Sequence, residues 1–227
     1  MAPNTLETFT AFFDGWLLRH QQLQQQLTAD IKNGKHQQLE KLVQQASDHY
    51  LQYYEEKSRA ITDDVFLICS PPWYTSFERS LFWVTEFPPS SLFCLVGDLD
   101  LTREQARRVE AVRAETARKE RGIGEAMAVV QETLAAAPLY GLVNRAERLV
   151  DGEVSHLDQA MEELKEAMRG VALDADGLRG TAVMEILKVL GVMQRVRFFA
   201  ALGEFRIRAR RVGLQMDRDR SRGVTLL

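Results

Sequence analysis

The chain has 227 residues, of which 45% are hydrophobic, 27% charged and 8% aromatic. This composition is typical of a globular protein and excludes collagen-like, low-complexity and disordered chains. With 29 basic and 32 acidic residues, the formal charge is −3. The chain as a whole therefore lacks the positive charge with which proteins coat nucleic acids.

The cysteines and the hydropathy pattern exclude further classes of protein. Cys69 and Cys94 each lie in an apolar run, and two cysteines are too few for a disulfide framework or a metal cage. No run approaches the roughly 18 apolar residues of a membrane span. The first residues also lack the basic-then-apolar pattern of a secretory signal. We therefore expect an intracellular protein without a membrane span.

The N-terminal part of the chain predicts two long amphipathic helices. Apolar residues recur at intervals of three and four from Phe9 to Ile31, and Asn4 and Glu7 have the spacing of an N-cap pair. Asn33-Gly34 predicts the end of this helix. A second periodic run, over residues 39–59, predicts the next helix.

Residues 63–96 have a different pattern, which predicts short helices and tight corners packed by aromatic side chains. Pro71-Pro72 and Pro88-Pro89 interrupt any long helix here. A strand is possible at Val65–Cys69. It has no clear partner, however, and an isolated short strand makes a poor sheet.

Helical periodicity returns in the second half of the chain. Thr102–Gln105 has the spacing of a capping box and begins a helix that runs towards Leu134. Residues 143–168 predict another helix. Asp174–Gly177 is typical of a cap and corner, after which a last helix includes residues 178–200. The predicted fold class is all-α, in a single domain.

Catalytic and metal-binding motifs are absent from the sequence. It contains no glycine-rich phosphate loop followed by lysine, no His-Glu-x-x-His and no Gly-x-Ser-x-Gly. Glu153 and His156 have the Glu-x-x-His spacing of di-iron bundles, but no second unit exists. His20 follows Trp16 by one turn on the apolar stripe, which is typical of a structural histidine. We expect neither an enzyme nor a metal site.

The C-terminal region is strongly basic. Residues 205–222 hold seven arginines and two aspartates, a local charge of +5. Such a segment is compatible with a solvated helix end or with a nuclear localisation signal. It is also compatible with binding to an acidic partner, a lipid surface or calmodulin. Replacing Arg206, Arg208, Arg210 and Arg211 with glutamine is expected to leave folding intact. The same change should weaken acidic-partner binding or nuclear retention.

Six blocks of the chain, taken together and in order, carry a resemblance to a known family. They are Phe13–Gln21, Trp73–Trp83, Thr85–Ser90, Leu101–Gln105, Ala175–Arg179 and Leu202–Arg208. These blocks resemble the plant delay-of-germination domain, which also forms the C-terminal part of the TGA bZIP transcription factors. The resemblance covers roughly residues 6–215, and we assign residues 216–227 to a basic tail.

The chain also departs from the family pattern. Thr85-Glu86 replaces the usual pair of glycines, and Pro88 replaces an arginine. The chain begins almost at its first helix, so we expect no sequence-specific DNA binding through a basic region and zipper. Haem binding through C-terminal histidines is associated with the dormancy branch, but no histidine follows His156. We therefore expect no haem bound in that way.

The resemblance implies a non-enzymatic regulator of seed dormancy or abscisic-acid signalling. It implies self-association as a homodimer, and protein partners such as type 2C protein phosphatases or transcription regulators. Such a protein would work in the nucleus and cytoplasm. Aromatic and arginine side chains are favoured interface anchors, although aromatic residues can equally form the core. The candidate partner-binding residues are Trp73, Tyr74, Arg206, Arg208, Arg210 and Arg211.

A second possibility is a sensor of a small ligand. An all-α body rich in Phe, Leu and Met can enclose a fatty acyl chain or a planar cofactor such as haem between its helices. The candidate pocket residues for this function are Trp16, His20, Phe82 and Trp83. No other cofactor is expected.

Overall fold

A computed structural model describes residues 4–33, 36–135, 141 and 151–222. Within these ranges all regular secondary structure is helical, which confirms the predicted all-α class. The helices are α1 (Thr5–Asn33), α2 (His36–Asp63), α3 (Val65–Cys69), α4 (Ser76–Ser80), a 3-10 helix (Pro89–Leu95), α5 (Arg103–Ala135), α6 (Asp151–Val189) and α7 (Val192–Ser221).

The predicted helix starts are confirmed by their capping hydrogen bonds. The Glu7 backbone N–H donates to Asn4 Oδ1 at 2.9 Å. At the start of α5, the Gln105 N–H donates to Thr102 Oγ1 at 3.2 Å, and the Thr102 N–H donates to Gln105 Oε1 at 3.0 Å. Both pairs satisfy N–H groups that the first turn of a helix leaves without a partner.

The apolar run after α2 forms a helix and not a strand. Asp64 accepts a hydrogen bond from the Leu67 N–H at 3.0 Å and so caps α3. One turn of helix then buries Val65 and Ile68. The apolar pattern of these five residues allowed either a strand or a helix, and the local cap favours the helix.

The corner predicted at Asp174–Gly177 is wrong. Helix α6 continues through these residues to Val189. The Asp176 carboxylate does not cap a helix end; it accepts hydrogen bonds from Lys57 Nζ at 2.8 Å and Arg179 Nη1 at 2.6 Å. The chain turns later, where Gly191 precedes α7 and its N–H donates to Gln194 Oε1 at 2.8 Å.

The main core is aromatic and lies where α1, α2 and α7 meet the segment around α4. Phe13 and Trp16 of α1 pack against Tyr53 of α2, and Phe198 and Phe199 of α7 are equally buried. A smaller cluster joins α5, α6 and the residues after α4. Its buried members are Val84, Val130, Leu164, Val171 and Ala175.

Helix α7 passes very close to the start of α4. A Cβ atom on Gly213 would lie 2.0 Å from Thr75 Oγ1, so only glycine fits at this crossing. The Ser76 N–H donates to Asp217 Oδ2 at 3.2 Å, which ties the two helices together. Helix α7 extends to Ser221, into the segment assigned to the tail.

Candidate functional site

Five charged side chains from four parts of the chain form a buried ion cluster. Lys57 Nζ lies 3.3 Å from Glu86 Oε2 and 2.8 Å from Asp176 Oδ1. Arg206 forms an ion pair with the other Glu86 oxygen, and Arg179 pairs with Asp176 at 2.6 Å. Because the Glu86 side chain has no exposed surface, these partners replace the water that a carboxylate otherwise requires.

Arg179 fixes the backbone that carries Glu86. Its guanidinium donates to the carbonyl oxygens of Glu86 at 2.9 Å and Phe87 at 2.8 Å, and also to that of Val84. Thr85, between them, has a φ of 57°, in the left-handed region that favours glycine. This is the position where the resembling family carries the first glycine of its pair. Lys57 Nζ donates to Thr85 Oγ1 at 3.1 Å, so the Thr85 side chain forms a contact with the ion cluster that glycine could not form.

The cluster keeps Glu86 ionised at neutral pH. Burial by itself would raise the pKa of Glu86, but Arg206, Lys57 and Arg179 together lower it to about 2. For Arg206, burial opposes the charge, and Glu86 with the neighbouring tyrosines outweighs burial and raises the pKa well above its usual value. Glu86 and Arg206 therefore form a fixed pair of charges.

A cavity of about 350 Å³ opens beside the ion cluster, and we call it the cluster cavity. Asp176, Arg179 and Arg206 line its polar end, together with Glu86 and Tyr50. The rest of the wall is mostly apolar. Its members include Leu51, Leu92, Leu95, Val183, Met184 and Phe199.

A second cavity, of about 230 Å³, lies between α1 and α7, and we call it the α1–α7 cleft. Leu17 and Gln21 line it from α1, and Arg211, Leu214 and Arg218 line it from α7. Arg211 and Arg218 are exposed, and neither forms an ion pair with another described residue. The cleft therefore combines an apolar surface with positive charge.

The two aromatic partner-binding candidates are both buried. Trp73 packs against Phe9 with 4.6 Å between the ring centroids. The hydroxyl groups of Tyr74 and Tyr53 are 2.8 Å apart and share a hydrogen bond. In this conformation the two side chains are 8% and 6% exposed, so they belong to the core and support the surface from within.

Of the four arginine candidates, two side chains are half-buried and two are exposed. Arg206 pairs with Glu86, and Arg210 donates to the Trp73 carbonyl at 3.0 Å, with its guanidinium 5.4 Å from the centre of the Phe13 ring. Arg208 is exposed and pairs with Glu204 on its own helix. Only Arg208 and Arg211 of the four therefore face solvent.

The four ligand-pocket candidates do not lie in one pocket. Trp16 and His20 stack with their ring centroids 4.7 Å apart, and both line the α1–α7 cleft. His20 Nδ1 lies 3.2 Å from His49 Nε2. Phe82 and Trp83 are half-buried and line neither cavity; Trp83 packs under the Arg179 guanidinium, 5.6 Å from its ring centre. The sequence interpretation missed the cluster cavity, although the unusual Glu86 was a signal of it.

Within the described ranges, no group of histidine, cysteine and acidic side chains is arranged to hold a metal ion. Among the same residues, no helix is both long and apolar enough to cross a bilayer.

Comparison with known proteins identifies the family. A family model described as seed dormancy control (DOG1) matches residues 19–97. Protein RESPONSE TO ABA AND SALT 1 of Arabidopsis thaliana is 36% identical, over 97% of this chain and 99% of its own length. Protein ZW2 of the same plant is 38% identical, over 92% and 97% respectively. Transcription factor TGA4 is 35% identical over 75% of this chain, but only 46% of its own length is covered. Because two relatives match almost from end to end, the chain belongs to the delay-of-germination (DOG1) family, as its sequence blocks predicted.

Proposed function

We propose that this protein is a non-enzymatic plant regulator that acts in abscisic-acid-linked signalling, including seed dormancy, by binding other proteins. The observation that carries the proposal is the α1–α7 cleft, where unpaired arginines surround an apolar surface. The family assignment supports it, because one relative is named for its response to abscisic acid and salt. Other relatives are named as transcription factors.

The charges of the cleft define the partner. Arg211 and Arg218 offer two guanidinium groups that no described acidic residue neutralises. Among the described residues, Glu78 is the one acidic residue that lines the cleft; it accepts hydrogen bonds from Thr75, and Arg210 lies 3.5 Å from it. In an acidic partner segment, the carboxylates could therefore pair with these arginines while an apolar side chain packs against the apolar surface of the same cleft.

The candidate partners are type 2C protein phosphatases and transcription regulators, met in the nucleus and cytoplasm. We also propose that this chain makes no direct sequence-specific contacts with DNA and that a bZIP-containing partner would supply them. We also propose that the protein self-associates as a homodimer. Light scattering coupled to size-exclusion chromatography measures that property directly, and a monomeric mass at micromolar concentration would contradict it.

The cleft is tested with a matched pair of double variants. Arg211→Gln/Arg218→Gln removes two charges from the cleft, and Arg108→Gln/Arg121→Gln removes two exposed charges from α5. Binding to purified type 2C phosphatases and transcription regulators is measured by biolayer interferometry. We expect the cleft variant to lose about tenfold or more in affinity, because charged interface hydrogen bonds are strong, and the α5 variant to bind as the parent does.

Two outcomes would contradict this proposal. One is equal loss in the two variants, which would mean that overall charge and not the cleft determines binding. The other is that no member of either partner class binds the parent protein. A fluorescent fusion in plant cells tests the compartments, and exclusion from the nucleus would contradict that part of the proposal.

A further inference from the structure

Ser221, the last residue of α7, is the one serine of the chain that has an arginine three residues before it. This arginine is Arg218, which lines the α1–α7 cleft. Arg220 precedes Ser221 directly, and Arg222 follows it. Protein kinases select substrates by charge pattern, and one large class has acidic pockets that bind arginines before the acceptor. Residues 218–221 therefore have the charge pattern of a substrate for an arginine-directed kinase.

The hydroxyl group of Ser221 is accessible to an enzyme. The residue is exposed, and its Oγ donates to the Asp217 carbonyl oxygen, one turn earlier, at 2.9 Å. Helix ends fray at small cost in free energy, so the last turn of α7 can unwind to enter the active site of a kinase.

Three threonines follow an arginine at the same spacing, and the two that the structure describes are poorer acceptors. Thr116 is only 3% exposed. Thr62 is exposed, but its arginine, Arg59, already pairs with Glu56. Helix α3 also begins three residues after Thr62 and packs against the core, which opposes unwinding there. Thr225 lies outside the described residues.

A phosphate on Ser221 would compete for the arginine that the cleft offers to a partner. Residues three apart on a helix are neighbours, so Ser221 and Arg218 share one face of α7. Arg218 forms no ion pair with another described residue. A phosphate brings a charge of about −1.5 to −2 and three acceptor oxygens, which suit a guanidinium group. The formal charge of residues 217–222 would change from +1 to about −1.

Two features of the helix end oppose a phosphate. They are the negative end of the helix dipole and the Asp217 carboxylate, one turn away. That carboxylate already accepts a hydrogen bond from the Ser76 N–H at 3.2 Å and lies 3.9 Å from Arg220 Nη1. Because three arginines lie within three positions of Ser221, the net local field attracts the phosphate.

We propose that an arginine-directed protein kinase phosphorylates Ser221, and that the phosphate pairs with Arg218 and so weakens the binding of acidic partners to the α1–α7 cleft. The effect on partners rests on the proposed function. In the reaction, Ser221 Oγ forms a bond to the γ-phosphorus of ATP, the bond from that phosphorus to the β–γ bridging oxygen breaks, and ADP leaves. The hydroxyl proton passes to the catalytic aspartate of the kinase.

The acceptor is tested with the purified full chain, ATP and AMP-activated protein kinase, for which an arginine before the acceptor is a main determinant. Tandem mass spectrometry locates the phosphate, and we expect it mainly on Ser221. Ser221→Ala should remove most of the incorporated phosphate, and Arg218→Gln should lower the rate by about tenfold, because a charged hydrogen bond to the kinase is lost. Phosphate mainly on Thr62 or Thr225, or none at all, would overturn the proposal.

The contact with Arg218 is tested on protein with phosphoserine encoded at position 221. Phosphoserine in place of Thr133 is the matched control. Thr133 is exposed in the last turn of α5, does not line the cleft, and donates to the carbonyl oxygen four residues earlier, as Ser221 does. In ³¹P NMR, Arg218→Gln should raise the midpoint of the phosphate titration at position 221 by about 0.3 pH units. The midpoint at position 133 should not change.

The effect on partners is measured by biolayer interferometry with purified type 2C phosphatases and transcription regulators. Phosphoserine at position 221 should weaken binding by about tenfold, and phosphoserine at position 133 should leave it unchanged. Unchanged affinity at 221, equal loss at both positions, or a titration midpoint that does not respond to Arg218→Gln would overturn the proposal. If no partner binds the parent protein, the proposed function fails and the effect on partners fails with it. The acceptor site and its contact with Arg218 are decided separately, by mass spectrometry and NMR.

Discussion

Glu86 and Arg206 form an ion pair inside the protein, between the turn that follows α4 and the middle of α7. The carboxylate has no exposed surface and is also held by Lys57 at 3.3 Å. The pair joins the floor of the cluster cavity to the helix that lines the α1–α7 cleft, because Arg206 lines both. A residue that the sequence marked as a partner anchor is therefore an internal support.

Arg206→Gln is expected to destabilise the protein strongly. Removing one partner of a buried ion pair leaves a buried charge without compensation and costs about 3–5 kcal/mol. Lys57 still contacts Glu86, so we expect the lower end of that range. Urea denaturation measures the loss. Arg208→Gln, at an exposed pair on the same helix, is the control and should leave the free energy of unfolding unchanged. This prediction differs from the expectation that all four arginines can be replaced without effect on folding, and equal stability of the two variants would favour that expectation instead.

The stability of the protein should fall on mild acidification because of His20 and His49. Burial is the main cause that lowers the pKa of His20 to about 3 and that of His49 to about 4, and Arg206 lowers both further. Arg19 also lowers the pKa of His49, and His49 lowers that of His20. The unfolded chain takes up protons below about pH 6.5, whereas the folded protein does not. Their contribution is therefore complete above pH 6.5 and is lost progressively towards pH 4 and below.

His20→Gln tests this directly through the slope of stability against pH. The variant should show a shallower decline between pH 6 and 4, by up to about 1.4 kcal/mol per pH unit. His156→Gln, at an exposed position on α6, is the control. Urea titrations at several pH values give the slopes. If His20→Gln declines as steeply as the parent, the acid sensitivity arises elsewhere.

Thr85 should reveal backbone strain when two substitutions are compared. Both Thr85→Ala and Thr85→Gly remove the hydroxyl that accepts a hydrogen bond from Lys57. They differ mainly in the cost of a φ of 57°, which glycine adopts freely and alanine does not. We expect the glycine variant to be more stable than the alanine variant by about 1 kcal/mol. Thermal denaturation of both checks it, and equal stability would show that the left-handed backbone is not strained.

Gly213→Ala should destabilise the protein, although alanine is normally the better helix former. A Cβ atom at this position would overlap Thr75 Oγ1, and Thr75 cannot move easily because it caps α4 in a reciprocal pair with Glu78. We expect a loss of about 1–3 kcal/mol from overpacking. Gly122→Ala in α5 meets open space and should instead gain about 0.5–1 kcal/mol. The same sign of change at both positions would contradict the close crossing of α4 and α7.

Local signals in the sequence predicted local structure well. Asn4 with Glu7, and Thr102 with Gln105, are complete within one helical turn, and both form as predicted. The Asp174–Gly177 corner failed for the opposite reason. Asp176 resembles a capping residue in sequence, but its partner Lys57 lies on another helix and draws the carboxylate into the ion cluster.

The candidate site is formed by contacts between residues that are distant in the chain, and hydrophobic periodicity does not predict such contacts. Lys57, Glu86, Arg179 and Arg206 lie far apart in the chain, and only packing shows that they meet. The sequence also did not show which arginines are exposed, because a run of arginines on a helix places some side chains towards the core and others towards solvent. Arg206 and Arg210 face the core while Arg208 and Arg211 face solvent, in keeping with the helical period.

The position of α7 in the chain has a consequence for biosynthesis. This helix packs on α1, α2 and α4, yet it follows every other described helix in the order of synthesis. On the ribosome, Glu86 and the aromatic side chains of α1 and α2 emerge long before Arg206 and Phe199 are available to cover them. Until α7 emerges, the nascent chain therefore exposes aromatic surface that α7 later covers, and exposed apolar surface of this kind favours aggregation.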